Sequence, residues 1–99
     1  MDEKATLVVT AVPNPEEMAS VQEYLTGVLP LFKEAGGQLV KRLKVHKPIH
    51  GKPSGMVLVM DFDSADAITT MFESDEYAAL VPVRDRGFAE MNIQLAHEM

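Results

Sequence analysis

The sequence predicts an α+β domain. Its plan is ferredoxin-like, βαββαβ, with a four-stranded antiparallel sheet in the order 4-1-3-2 and helices on one face. Three observations lead there. Strand-like and helix-like stretches follow one another as strand, helix, strand, strand, helix, strand. The first and third strands are apolar on both faces, as central strands are, whereas the second and fourth carry a polar face, as edge strands do. A chain of 99 residues is about one domain's worth, so a single domain spanning 1–99 is expected.

Ala5 to Val12 is rich in β-branched residues and shows no polar face, which marks the first central strand. Asn14-Pro15-Glu16-Glu17 then reads as a helix start, with Asn14 as N-cap, Pro15 at the first helical position and Glu17 as a capping-box carboxylate. Met18, Val21, Leu25, Val28, Phe32 and Ala35 follow at spacings of three and four and define the face that covers the sheet. Pro30 removes an internal hydrogen bond and is expected to kink or divide this helix, and Gly36-Gly37 to end it with a left-handed residue.

Gln38 to Ile49 reads as a strand with Leu39, Leu43 and Val45 in one register and Arg42, Lys44 and His46 in the other. His50 to Gly55 is turn chemistry, so this strand and the next form a long hairpin. Met56 to Phe62 is the second central strand, apolar apart from Asp61. Ser64 caps a short helix bearing Ile68, Met71 and Phe72, Ser74 caps another turn through Tyr77 and Leu80, and Pro82 and Gly87 bracket a last turn. Glu90 to His97 alternates, with Met91, Ile93 and Leu95 opposite Asn92 and Gln94, as a half-buried strand does.

Helices on one face leave the other face of two apolar strands uncovered, and a second copy of the chain is the expected cover. The chain is thus expected to partner itself.

Charge and composition remove several function classes. Nine basic and fifteen acidic side chains give a net charge of −6, the wrong sign for binding a phosphate backbone. The central strands also lack the spaced aromatics of an RNA-recognition module, so nucleic acid is not an expected partner. With no cysteine there is no disulfide, thiolate metal site or thiol nucleophile, which also closes the copper-chaperone reading of the plan. No apolar run approaches the ~20 residues of a membrane span, and the acidic start shows no leader, so a cytoplasmic protein without a membrane partner is expected.

Basic residues are concentrated in one place. Residues 33–52 hold six bases and one acid, with His46 and His50 among them. The hairpin from Lys41 to Lys52 could attract an anion; the reading favoured is a solvated edge whose lysines discourage pairing with other strands. His46 and His50 flank Pro48 on extended chain, where four residues span ~13 Å, too far for two ligands of one zinc. No metal and no cofactor is expected. The chain has no glycine-rich phosphate loop and no nucleophile elbow either.

Three polar residues remain as site candidates. Asp61 is an ionisable group ending an apolar strand, a possible general base if it faces the covered side and a solvated strand end if it does not. Tyr77 and Arg84, with Arg86, lie where a phenol and guanidinium groups come closest in sequence, although Arg84 and Arg86 could simply pair with Glu76, Asp85 or Glu90. Tyr24 adjoins the helix stripe and is read as packing.

Gly55 to Phe62, Ser64-Ala65-Asp66-Ala67 and Glu73 to Arg84, with Gly36-Gly37 after the first helix, resemble domain of unknown function family 1330 of the dimeric α+β barrel superfamily. The most specific part is S-x-E-Y-x-x-L-x-P-x-R, from Ser74 to Arg84. The sequence departs at Met71-Phe72, where relatives often carry Trp-Tyr, and at Asp63, where many have proline. The resemblance implies a homodimer whose two sheets face each other as a barrel, with pockets between sheet and helices. Similar barrels include cofactor-free monooxygenases, lactone isomerases and haem enzymes, so the fold names no reaction. The expectation is a small homodimeric barrel that binds, and could transform, a small organic molecule, with Asp61, Tyr77 and Arg84 as the polar groups of its pocket. The alternative is a non-catalytic accessory or stress-related protein whose barrel is packed shut by methionines such as Met56 and Met60.

Overall fold

The computed structural model describes residues 4–53 and 55–99. Strand β1 (Ala5–Pro13) leads through a single 3-10 turn (Pro15–Glu17) into helix α1 (Met18–Glu34). Strands β2 (Gln38–Lys44) and β3 (Met56–Phe62) form the long hairpin. Helices α2 (Ala65–Phe72), α3 (Asp75–Ala78) and α4 (Val81–Gly87) follow, and strand β4 (Phe88–Ala96) closes the fold. The sheet is antiparallel throughout in the order β2-β3-β1-β4, the expected plan read from its other end.

Register decides which side chains meet the helices. Ala5, Leu7 and Ala11 of β1 are buried, and the residues opposite Ala5 and Leu7 on β3, Phe62 and Met60, are buried with them. Across β1, Leu95, Ile93 and Met91 of β4 stand opposite Leu7, Val9 and Ala11 and share that face. Val21, Tyr24, Val28 and Phe32 of α1, with Ile68 and Met71 of α2 and Tyr77 of α3, complete the core above it. The buried stripe of α1 is therefore centred on Tyr24, whereas Met18, expected in the stripe, is 48% exposed. The opposite face of the sheet carries Val8, Val57 and Val59, with Thr6, Thr10 and Asp61 interleaved, so it is less uniformly apolar than the strand sequences suggested.

Three local expectations are corrected. Helix α1 runs unbroken through Pro30. Pro30 and Thr26, whose carbonyl would have received the missing hydrogen bond, are both exposed, so water can satisfy that carbonyl. Glu17 forms no capping box; Asn14 Oδ1 accepts from the Glu16 N–H at 3.1 Å, and the Glu17 carboxylate accepts from Ser20 Oγ at 3.3 Å. Strand β2 stops at Lys44 and does not reach Ile49. Its last tie is the Val45 N–H to the Gly55 carbonyl, beyond which Pro48 has no N–H for a ladder and Ile49 is 98% exposed.

β2 also holds a bulge between Leu39 and Lys41. One extra residue reverses the alternation, so Leu39 and Arg42 share the helix-facing side while Lys41 and Leu43 face the other way. The expected register, Leu39 with Leu43, does not form.

The remaining punctuation behaves as its chemistry requires. Ser64 and Ser74 accept from the Ala67 and Tyr77 N–H groups, starting α2 and α3. Gly36, at φ +89°, supplies the left-handed residue after α1. No helix of the described residues is long and apolar enough to cross a membrane.

Leu7, fully buried, stands at the centre of this packing. Leu7→Ala is expected to lower unfolding free energy by about 2–5 kcal/mol in urea titrations, whereas Lys41→Ala on the exposed edge should change it by no more than about 0.5 kcal/mol. A loss below about 1 kcal/mol for Leu7→Ala would contradict this account of the core.

Candidate functional site: a tyrosine pair between two cavities

Tyr24 lies three residues after Val21 and four before Val28, which puts its ring on the buried face of α1. Tyr77 is brought to the same place from the other side. Ser74 begins α3, its Oγ accepting from the Tyr77 N–H at 3.2 Å and donating to the Met71 carbonyl at 2.6 Å, so the tyrosine is fixed in the first turn. The two rings are 4% and 3% exposed, and their hydroxyl oxygens are 2.9 Å apart. Phe88 meets the Tyr24 ring edge to face at 5.5 Å and Phe72 meets the Tyr77 ring in the same way at 4.7 Å, holding both phenols in place.

Arg84 completes the chain. It lies within α4, whose first turn contains Pro82, and its N–H bonds to the Leu80 carbonyl at 2.8 Å. Nη1 donates to the Tyr77 hydroxyl at 3.2 Å, while Nε and Nη2 both reach Asp85 Oδ1 at 3.1 Å. The expected pairing of Arg84 with Asp85 therefore forms together with a bond to Tyr77. Arg86, expected to pair with Glu76, Asp85 or Glu90, instead donates to Ser20 Oγ at 2.8 Å and lies 3.9 Å from Glu23.

Electrostatics act on the two ends of this chain. Burial, with the hydrogen bond to Tyr77, pushes the Tyr24 phenol far above the usual tyrosine range, so it keeps its proton. Partial desolvation works against the charge on Arg84, but the Tyr77 hydrogen bond and the Asp85 carboxylate outweigh it and raise its pKa. A protonated Tyr24 and a charged Arg84 therefore flank the Tyr77 hydroxyl. Arg84 occupies one lone pair of the Tyr77 oxygen, and a single proton suffices for the bond between the hydroxyls. One of the two phenolic protons is left uncommitted and can be donated to a ligand oxygen.

Space exists on both sides of the pair. Tyr24 lines an inner cavity of about 160 Å3 between α1 and the sheet, whose walls include Val9, Val28, Leu58 and Met60. Tyr77 and Arg84 line an outer cleft of about 540 Å3, between the α2–α4 segment and β4, with Phe72, Glu73 and Leu95. A carbonyl, enolate or carboxylate oxygen in the cleft would meet the Arg84 guanidinium and, when Tyr24 is the donor between the two hydroxyls, the Tyr77 proton as well, donors suited to holding negative charge on oxygen.

The three residues singled out by sequence are divided by the fold. Tyr77 and Arg84 come together. Asp61 is exposed on the sheet face turned away from the helices, where its Oδ1 accepts from Thr6 Oγ1 at 2.8 Å. Asp61 is thus on the far side of the sheet from the cleft, and the expected grouping of all three in one pocket is corrected accordingly. Tyr24, read as packing, is the member that sequence reasoning missed. The available signal was a phenol at a core position of a helix, because a buried tyrosine hydroxyl must find a partner. Among the described residues no cluster of three or more histidine or acidic side chains could hold a metal.

The arrangement belongs to a widely used fold. The chain is similar to the crystal structure of a protein of unknown function from Rhodopseudomonas palustris, with TM-score 0.84 and 14% identity over 100% of this chain and 85% of that one. It is also similar to a dimeric protein of ferredoxin-like fold from Bacteroides fragilis, with TM-score 0.66 and 11% identity over 96% of each chain. A third likeness is to SnoaB, a cofactor-independent oxygenase from Streptomyces nogalater, with TM-score 0.69 and 11% identity over 98% of this chain and 94% of that one. At such identities these likenesses establish the fold alone. No curated protein matches the sequence. Residues 5–99 match the family described as Domain of unknown function (DUF1330), and the chain belongs to that family.

Proposed function

We propose that this protein is a homodimeric barrel that binds a small oxygen-bearing organic molecule in the cleft beside Tyr77 and Arg84, and that these groups can polarise it for reaction. The observation that carries the proposal is the Tyr24–Tyr77–Arg84 chain, with one phenolic proton uncommitted at the boundary of two cavities. The chemistry best suited to it is stabilisation of a carboxylate or enolate: Arg84 supplies fixed charge and the tyrosines a directed donor. The similarity to a protein described as a cofactor-independent oxygenase supports a reaction carried by side chains alone. Asp61, on the other face, has no part in this cleft.

Self-association is supported by the sheet face that the helices leave open, where Val8, Val57 and Val59 lie together, and by the similarity to a protein described as dimeric. Sedimentation at micromolar concentration is expected to give a species near twice 10.9 kDa. Val57→Lys, which places a charge on that face, should shift the chain to monomer. A stable monomer of the parent protein would remove the barrel from the proposal.

Arg84 provides the test of the cleft. Its pairing with Asp85 is worth ~0 to 1 kcal/mol and its hydrogen bond to Tyr77 about 1 kcal/mol, so Arg84→Gln should leave the protein folded with only a modestly lowered melting temperature. The same substitution should abolish the thermal protection that compact carboxylates without an alkyl chain, such as oxalate, give the parent. Protection retained in Arg84→Gln would take Arg84 out of the site, and a parent protected by no such compact carboxylate would favour a cleft without a ligand.

A further inference from the structure

The inner cavity lies on the other side of the tyrosine pair from the Arg84 cleft. Its walls are hydrocarbon from Val9, Val28, Phe32, Leu58 and Met60, and the Tyr24 hydroxyl is already engaged by Tyr77. The one charged residue in the lining is Arg42. It is exposed, as are its neighbours in the lining Leu29 and Leu39 at 40% and 58%, so these three mark the side on which the cavity meets solvent. Among the described residues Arg42 makes no ion pair.

Arg42 is at this rim because of the bulge in β2. In regular alternation from Leu39, residue 42 would face the open side of the sheet; the extra residue at the bulge turns it to the helix side, opposite Leu58. Bulges that re-aim a side chain are common beside ligand sites. The result is an apolar chamber with an unpaired guanidinium at its opening, in the most basic stretch of an acidic chain.

We infer that this cavity holds the apolar body of a small monocarboxylate, with the carboxylate outside against Arg42. The guanidinium fork matches a carboxylate in plane and in charge. Lys44, on the same face of β2 and opposite Met56 of the lining, favours an anion and disfavours an amine, whereas Lys41 faces the other way and Lys52 is paired with Glu90. Size sets the body. A cavity of ~150 Å3 lined by aliphatic side chains accepts a six-carbon ring, so a cavity of about 160 Å3 accommodates about six carbons. The inference goes beyond the Arg84 cleft and does not rest on it.

Nuclear magnetic resonance titration of the 99-residue protein with straight-chain carboxylates, butanoate to decanoate, at constant ionic strength tests it. Affinity should rise about fourfold with each added methylene and level off once about six carbons are inside. Arg42→Gln should weaken every member of the series about tenfold while keeping the rise per methylene. Hexylamine should bind far more weakly than hexanoate. Leu58→Phe, which fills part of the cavity, should move the levelling point to a shorter chain, and Arg84→Gln should keep both the rise per methylene and the levelling point. The inference is overturned by an affinity independent of chain length, by a rise that continues unbroken to decanoate, or by equal binding to Arg42→Gln. Loss of binding in Arg84→Gln with retention in Arg42→Gln would overturn it too and would assign the ligand to the outer cleft.

Discussion

The pairing of β1 with β3 on one side and β4 on the other sets the position of everything else. Because β1 is central, the burial of Ala5, Leu7 and Ala11 dictates by register which residues of both neighbours face the helices. Met60 and Phe62 on one side and Ile93 and Leu95 on the other have no further freedom, since a slip of one residue would send each to the opposite face. Both cavities are consequences of this register. Ile93 lines the inner cavity and the outer cleft alike, so the two spaces share one strand as their floor.

Above the sheet, the relation between α1 and α4 brings the tyrosine pair and Arg84 within reach of one another. The Asn14 N–H donates to the Gly87 carbonyl at 2.9 Å, and Arg86 Nε donates to Ser20 Oγ at 2.8 Å, tying the end of α4 to the start of α1. A side chain at Gly87 could not be accommodated, because its Cβ would lie 2.9 Å from the Val21 nitrogen. This close approach holds Arg84, three residues earlier, against the buried face that carries Tyr24. The family motif from Ser74 to Arg84 has a corresponding physical content: Ser74 starts the turn that carries Tyr77, Leu80 meets α1 at Gly27, and Arg84 bonds back to Tyr77.

Most of the fold was legible because local chemistry and global plan agreed. Ser64, Ser74 and Gly36 act where their side chains or φ require, and the difference between two-faced and one-faced apolar strands separated centre from edge. What stayed hidden depended on contacts made far along the chain. The β2 bulge has no glycine or turn residue to announce it; the stretch around it is Leu39-Val40-Lys41, so alternation counted from sequence put Arg42 on the wrong face. Pro30 looked like a break because sequence does not reveal that it falls on the solvent side of α1. Tyr24 and Tyr77 are 53 positions apart, and only the docking of α1 on α3 shows that each satisfies the other.

The tyrosine pair by itself is what stability would select, since each hydroxyl gives the other a partner and no buried polar side-chain atom among the described residues lacks one. Arg84 goes beyond that requirement. Asp85 already offers it a partner at the surface, yet Nη1 reaches inward to an oxygen whose needs Tyr24 has met. Bringing a guanidinium to the edge of an apolar cleft carries a desolvation cost, and a neutral phenol returns less than a carboxylate would. In a cleft that admits a ligand, the same arrangement has a direct use. A guanidinium at the edge of the cleft would stabilise negative charge on an oxygen bound there. Tyr24 is kept protonated by burial, so Tyr77, bonded to both Tyr24 and Arg84, is the link between the buried core and the charge at the edge of the cleft.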